Sequence, residues 1–328
     1  AAAFCARYSV LAEGNAPEGS DTHGEFTGKN ILHGTGDAET PSLVESRWIL
    51  FELRKHRPRP HLDDKILTAW NGLMISAFAK AGAALDDARY IEAAVSAAEF
   101  VRRQLLCDRG LLRSWRGSPS KIEGFAEDYA FFIQGLLDLY EADFDLRWIE
   151  LAADLQQRQD GLFWDADSYF SSRAGDPLLP LRMKEDYDGA EPSANSISAL
   201  NLLRLGRMLH EDSLEEKARK TLAAHADPMD RAPSSLPQML VALDLALSPP
   251  AQTVVAGDRN SAQALLPPIQ QTFRPRTAKI LLDSPEAEEF FSRNSPAIRG
   301  MKTIGGKSAL YQCRNFVCLA PVTSPPVQ

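Results

Sequence analysis

The stretch Arg57-Pro58-Arg59-Pro60-His61-Leu62-Asp63-Asp64-Lys65-Ile66-Leu67-Thr68-Ala69-Trp70-Asn71-Gly72-Leu73-Met74 decides how this chain is read. Each proline fixes its own φ and biases the preceding residue away from helix, so the approach is extended and a helix is expected to open at His61 to Asp63. Carboxylates in a first turn would sit against unpaired N–H groups and the positive end of the helix dipole. The helix itself is apolar nearly all round, with Ile66, Leu67, Trp70, Leu73, Met74, Ile75 and Phe78. Such a helix must be buried. Asp64, Thr68 and Asn71 draw a polar stripe along it, which either meets buried partners or lines an internal cavity.

Working outward, the apolar pattern repeats. Helical periodicity predicts helices near 44–56, 64–84, 87–106, 125–142, 147–159, 193–210, 212–225 and 234–247. Asp86-Asp87, Asp108-Arg109-Gly110 and Pro192-Ser193 are the stop and start signals between them, with Ser193 as an N-cap. The segments at 64–84, 125–142 and 193–210 are mostly apolar, whereas 87–106, 147–159 and 212–225 carry one charged face. That alternation suits rings of helical hairpins with apolar helices inside. A plain bundle or a superhelical solenoid would alternate too. Residues 111–116 and 162–170 read as short hairpins or aromatic loops. Residues 1–42 are polar, rich in Gly, Thr and Asp, and read as an irregular leader. After Pro250 the β-prone runs Thr253–Gly257, Ala278–Asp283 and Tyr311–Ala320 predict a small α/β appendage. The expected division is therefore 1–42, 43–249 and 250–328.

Composition removes several classes of function. The chain has 328 residues, 44% hydrophobic and 24% charged, as in an ordinary globular protein. A formal charge of −8 offers no basic surface for a phosphate backbone, so no nucleic-acid partner is expected. No apolar run approaches the roughly 18–20 residues of a membrane helix. The N-terminal Ala1-Ala2-Ala3-Phe4 has no basic n-region, so no secretory signal is recognised and a cytoplasmic location is expected. The cysteines Cys5, Cys107, Cys313 and Cys318 contain no C-x-x-C pair. Cys313 and Cys318 are read as two buried thiols, with a disulfide or metal role as the alternative.

Three clusters could carry chemistry. The first is His61, Asp63, Asp64, Lys65, Thr68, Trp70 and Asn71. The second runs from Glu123 through Glu127, Asp128 and Tyr129. The third holds Lys184, Glu185, Asp186, Asp188, Glu191, Ser193 and Asn195. Each precedes or opens an apolar helix, and in a helical toroid those ends share one mouth. Ordinary helix capping would explain any one of them alone. Asp63, Asp64, Asp186 and Asp188 could hold a hard cation, but no EF-hand or histidine spacing is present, so no metal site is assigned. No Gly-rich phosphate loop and no G-x-S-x-G turn occurs, and no cofactor is expected.

The runs 58–74, 125–141 and 182–205, with Gly28–His33, Tyr311–Cys318 and Pro321-Val322-Thr323, resemble the bacterial YyaL and spermatogenesis-associated protein 20 family. Ala194 departs from the Gly expected within Pro-Ser-x-Asn-Ser. The resemblance implies an (α/α)6 toroid of the six-hairpin glycosidase type, incomplete at the N-terminus, with about eight helices against twelve for a full ring. It also implies a thioredoxin-like domain elsewhere in the same longer chain, whose redox role falls on no residue here.

Six-hairpin toroids include glycoside hydrolases, lyases and sugar epimerases, so a carbohydrate or other small polar ligand is the expected partner. For glycoside hydrolysis, one carboxyl must be protonated and one ionised across the scissile bond. Asp64 and Asp128 are the expected pair, with Asp188 as substitute. Lys184 would neutralise a substrate carboxylate, Asn71 and Asn195 would bond hydroxyls, and Trp70 would stack. His61, Asp63, Lys65, Glu123, Tyr129, Asp186 and Ser193 complete the expected binding set. Epimerisation ordinarily uses paired histidines, and only His61 lies in a cluster. A non-catalytic ligand- or protein-binding scaffold on an old enzyme fold is the competing expectation.

Overall fold

In a computed structural model, residues 1–17, 19, 21–34, 39–175, 181–315 and 317–324 are described. They fall into two compact units, 1–63 and 64–328. The boundary expected near 42 thus lies inside the first unit, and the break expected near 249 lies within the second.

The first unit holds α1 (Ala2–Arg7) and α2 (Pro41–Lys55). Between them the described residues are irregular, and side-chain amides pin them. The Asn15 amide donates to the Ser9 and Ile31 carbonyls, and its oxygen accepts from Ile31 N–H. Asn30 makes the same two-way tie to Leu11. Pro41 opens α2 at the position where a missing N–H does no harm. Within α2 only Leu43 is buried, while Trp48, Ile49 and Phe51 are exposed.

The second unit begins with β1 (Ile66–Leu67), then α3 (Thr68–Leu85) and α4 (Ala88–Gln104). Short strands β2 (Leu106–Cys107), β3 (Gly110–Leu111) and β4 (Ser114–Trp115) follow, with β2 pairing β3 and β1 pairing β4. Next come α5 (Ala126–Asp143), α6 (Leu146–Phe163), the hairpin of β5 (Trp164–Asp165) and β6 (Ser168–Tyr169), α7 (Ala194–Leu209) and α8 (Asp212–Ala224). A short α9 (Ala226–Arg231) and a 3-10 turn lead into α10 (Pro237–Leu247). The helices α3, α5 and α7 neighbour one another in order, and α10 packs on α7. Their partners α4, α6 and α8 lie outside, each on its own hairpin mate. This is the inner–outer arrangement of an (α/α) toroid.

Two local devices build that arrangement. The first is close approach of α3 and α5. A Cβ on Gly72 would lie 2.4 Å from the Phe131 carbonyl carbon, and one on Gly135 would lie 2.6 Å from the Gly72 oxygen. Backbones this near admit no side chain between them. The second is a common turn. All three inner helices end in a left-handed residue that is not glycine, namely Asp86, Phe144 and His210, with φ of 54°, 55° and 54°. The next residue, Asp87, Asp145 or Glu211, takes the N-cap of the outer helix, and the two aspartates accept a first-turn N–H. One turn thus folds each outer helix back along its inner partner.

The chain then forms β7 (Ala251–Ala256), α11 (Arg259–Ala262), α12 (Leu266–Gln271), β8 (Thr277–Leu282), α13 (Pro285–Ser292), α14 (Pro296–Arg299), β9 (Ala309–Arg314) and β10 (Val317–Cys318). The strand order is β10-β9-β7-β8, with β7 and β8 parallel and the other pairs antiparallel. Tyr140 of α5 joins this sheet to the helices. Its Oη accepts from Leu281 N–H at 3.3 Å, and its ring packs on Phe291. Cys313 and Cys318 form a disulfide, which corrects the reading of two thiols. The β9–β10 register sets them directly opposite, with Cα atoms 3.9 Å apart, a relation set by strand pairing and invisible in their spacing.

The start of α3 also differs from expectation. Asp63 and Asp64 precede the helix rather than opening it, because Ile66 and Leu67 are drawn into pairing with β4. The Thr68 N–H donates to the Arg113 carbonyl, and the Thr68 hydroxyl to Leu112. The acid that meets the α3 first turn comes from another hairpin.

Candidate functional site

That acid is Asp128. It stands at the third residue of α5, so its carboxylate reaches back to accept from Phe125 N–H at 2.8 Å, the reciprocal half of a capping box. That oxygen also accepts from Arg113, and the other accepts from Ala69 N–H of α3 at 3.0 Å. The side chain is wholly buried. Burial pushes its pKa up to about 6, against the opposing pull of Arg113 and the Phe125 N–H. Asp188 acts in the same way. It accepts from Ser193 N–H ahead of α7 and from Gln238 and Met239 N–H at the head of α10. Both carboxylates therefore clasp the first turn of a neighbouring helix as well as their own approach. Both are buried with their oxygens taken up by backbone donors, a scaffolding role where a catalytic one was expected. Asp64 is exposed and ion-paired with Arg116 at 2.5 Å.

The acids that do face the mouth are their neighbours. Glu127, one residue before the capping Asp128, pairs with Arg113, whose guanidinium also lies over the Phe125 ring. Glu185 has its pKa raised, first by desolvation and then by the Glu127 and Glu191 carboxylates, while Ala194 N–H of α7 and Arg113 oppose the shift. Trp70, in the first turn of α3, is 57% exposed, and its indole N–H donates to Glu191 at 2.9 Å. Glu127, Glu185, Glu191, Arg113 and Trp70 thus share the N-terminal end of α3, α5 and α7. Glu127, Glu185 and Glu191 lie in the expected clusters but were given no role there, and Arg113 was missed. The capping-box spacing was the available signal: an acid at the third helical position turns back to the backbone, which leaves the acid before it free to face outward.

The remaining expected residues are dispersed or engaged in scaffolding. Asn195 exchanges hydrogen bonds with both backbone groups of Tyr169 and donates to the Glu185 carbonyl, so it fixes the loop that carries Glu185. Ser193 caps α7. Asn71 donates to the Leu67 carbonyl of its own helix start. The Tyr129 hydroxyl is buried and accepts from Leu111 N–H and Arg173. Glu123 pairs with Arg173 at 2.8 Å. Lys184 is held by Asp165 and Asp167 over the Phe170 ring, away from the acids of the mouth. Asp186 and Lys65 are exposed on the second unit, whereas His61 and Asp63 are exposed on the first. Among the described residues no group of three or more His, Cys, Asp or Glu is placed to hold a metal ion. None of the described helices is long and apolar enough to cross a membrane.

No family model matches the chain. Human spermatogenesis-associated protein 20 is 39% identical over 97% of this chain, and the mouse protein is 37% identical over the same share. Over the matched region these spermatogenesis-associated proteins 20 are homologues of the chain. An uncharacterised Caenorhabditis elegans protein, B0495.5, is 34% identical over 96% of the chain. The chain spans 44% of the length of the human relative. Among solved structures, a sugar epimerase from a ruminal bacterium is similar over 48% of this chain and 43% of its own, with a TM-score of 0.41 and 16% identity. An unsaturated glucuronyl hydrolase from Bacillus sp. GL1 is similar over 51% of this chain and 48% of its own, with a TM-score of 0.41 and 18% identity.

Proposed function

We propose that the mouth of the inner helices is a carbohydrate-active site. Trp70 offers an exposed aromatic face on which a sugar ring stacks, and the surrounding carboxylates accept hydrogen bonds from its hydroxyls. The observation that carries this reading is the raised pKa of Glu185 beside Glu127 and Glu191. A protonated carboxyl next to ionised ones is the pairing that glycosidic bond cleavage requires. In this reading Glu185 donates the proton to the leaving oxygen. Glu191, held by the Trp70 indole, is the partner carboxylate that activates water or attacks the sugar. Arg113, paired with Glu127, limits the repulsion among the three.

A binding role without turnover is the second reading, and the bonds already made by Glu127 and Glu191 favour it. One set of measurements separates the two. The full-length protein, Glu185→Gln and Trp70→Ala are compared for glycan binding by calorimetry and for reducing-end release across a glycan panel. An enzyme predicts that Glu185→Gln still binds but loses about 10²–10⁴ in rate, while Trp70→Ala weakens binding. A binder predicts no release by any form and loss of affinity in Trp70→Ala. Wild-type protein that neither binds nor cleaves any glycan in the panel refutes both.

A further inference from the structure

The opposite ends of the same inner helices hold a second cavity, of about 430 Å³. Lys80 of α3 lies ten residues beyond Trp70, which at 1.5 Å per residue places it about 15 Å along the helix from the mouth. The last turns of α3, α5 and α7 form one side, and the segment from α12 into β8 forms the other. Its volume lies within the range of about 300–1,000 Å³ typical of small-molecule sites.

The charge on its walls is unbalanced. The cavity has two carboxylates, Asp138 and Glu141. Asp138 is held by Lys80 at 2.9 Å and by Arg204 at 2.8 Å, and Arg204 also reaches Glu141 at 3.5 Å. These four groups neutralise one another. Arg276 pairs with Asp244. Arg207, Arg274 and Lys279 also line the cavity, and none of them has a carboxylate at ion-pair distance among the described residues.

Arg207 is the second, independent sign of a ligand. It is only 3% exposed, and one guanidinium nitrogen, Nη2, donates to the Leu245 and Ser248 carbonyls. Among the described residues, its Nε and Nη1 have no hydrogen-bond partner. The nearby Glu215 is engaged by Arg219 at 2.9 Å. A buried guanidinium with two idle donors and no carboxylate at ion-pair distance is destabilising unless an anion completes it. The chain as a whole is acidic, at −8, so this local surplus of cations runs against the overall field. Much of the remaining wall is apolar, with Ala79, Ala83, Met208, Val241 and Leu245, and Gln270, Gln271, Thr272 and Thr277 add neutral polar groups.

From this combination we infer that the cavity binds a small organic anion, a carboxylate or phosphate head on an apolar body. The head sits among Arg207, Arg274 and Lys279, and the body lies against the alanines of α3 and Val241 of α10. The site is separate from the mouth.

Calorimetry with octanoate, hexyl phosphate and the uncharged 1-octanol tests it on the intact protein. At least one of the two anions is expected to bind saturably, and which of them does so identifies the head group. The alcohol is expected to bind at least about tenfold more weakly. Changing the exposed Arg274 and the half-buried Lys279 together to Gln leaves Arg207 in place and is expected to weaken anion binding about tenfold, with the gap narrowing as salt rises. The inference fails if neither anion saturates below about 10 mM, if octanol binds as well as the anions, or if the double variant binds like wild type.

Discussion

Replacing Asp128 with Ala tests whether the acids at the helix starts are structural ties. The substitution removes the acceptor of two buried backbone donors, Phe125 N–H and Ala69 N–H, and one partner of Arg113. An unsatisfied buried donor costs about 1–3 kcal/mol, and Arg113 retains Glu127, so the sum is about 4 kcal/mol. Asp128→Asn keeps one acceptor but turns an amide donor toward other donors, for a loss of about 2 kcal/mol. Urea unfolding measures both, with the transition midpoint shifted and the slope unchanged. The pH dependence has a definite sign. The folded pKa of about 6 lies above the ordinary 3.8, so folding favours the protonated form. The stability gained from that proton is complete below about pH 4 and lost as pH rises through about 6, a span of about 3 kcal/mol. Wild type is therefore expected to lose stability more steeply than Asp128→Ala across that window. A loss below about 1 kcal/mol in Asp128→Ala, with unchanged hydrogen exchange at the Ala69 amide, would refute the reasoning.

Gly72→Ala drives a Cβ to within 2.4–2.6 Å of the Phe131–Phe132 peptide and should destabilise by about 3 kcal/mol as α3 and α5 part; a chemical melt within 1 kcal/mol of wild type counts against the packing described. Asp86→Gly relieves a left-handed residue at φ 54° and should raise stability by up to about 1 kcal/mol in the same melt. Thiol titration of denatured, unreduced protein should find two free cysteines, Cys5 and Cys107. Reducing Cys313–Cys318 opens a loop with a sequence separation of 5 and should lower stability by about 2 kcal/mol, read by unfolding with and without reductant.

Helix positions were legible because periodicity is a local property. The expected 125–142 and 193–210 correspond to Ala126–Asp143 and Ala194–Leu209, and the three β-prone runs after Pro250 became strands. The start of α3 was not legible, because the group that caps it is fifty-nine residues away in sequence. A reader of the local sequence assigns Asp63 and Asp64 that role, as the nearest acids. The disulfide was hidden for a similar reason, since the pairing of β9 with β10 and not the number of intervening residues sets the two sulfurs together. At the mouth the sequence located the three clusters but not the member of each that faces outward. Choosing Glu127 over Asp128 requires knowing which oxygen the Phe125 and Ala69 amides occupy.

The double grip of Asp128 and Asp188 bears on how the helical arc can be cut or rearranged. In a stack of autonomous repeats, a terminal unit can be deleted and the rest keeps its own bonds. Here, excising the segment with α10 would strip Asp188 of the Gln238 and Met239 amides, and removing α3 would strip Asp128 of Ala69. Each deletion leaves an interior carboxyl of the surviving piece short of part of its donors. Subdivision at hairpin boundaries should therefore yield fragments that fail together rather than modules that fold in series, and grafting a hairpin from a relative would require its clasping acid and the recipient helix start to travel as a pair.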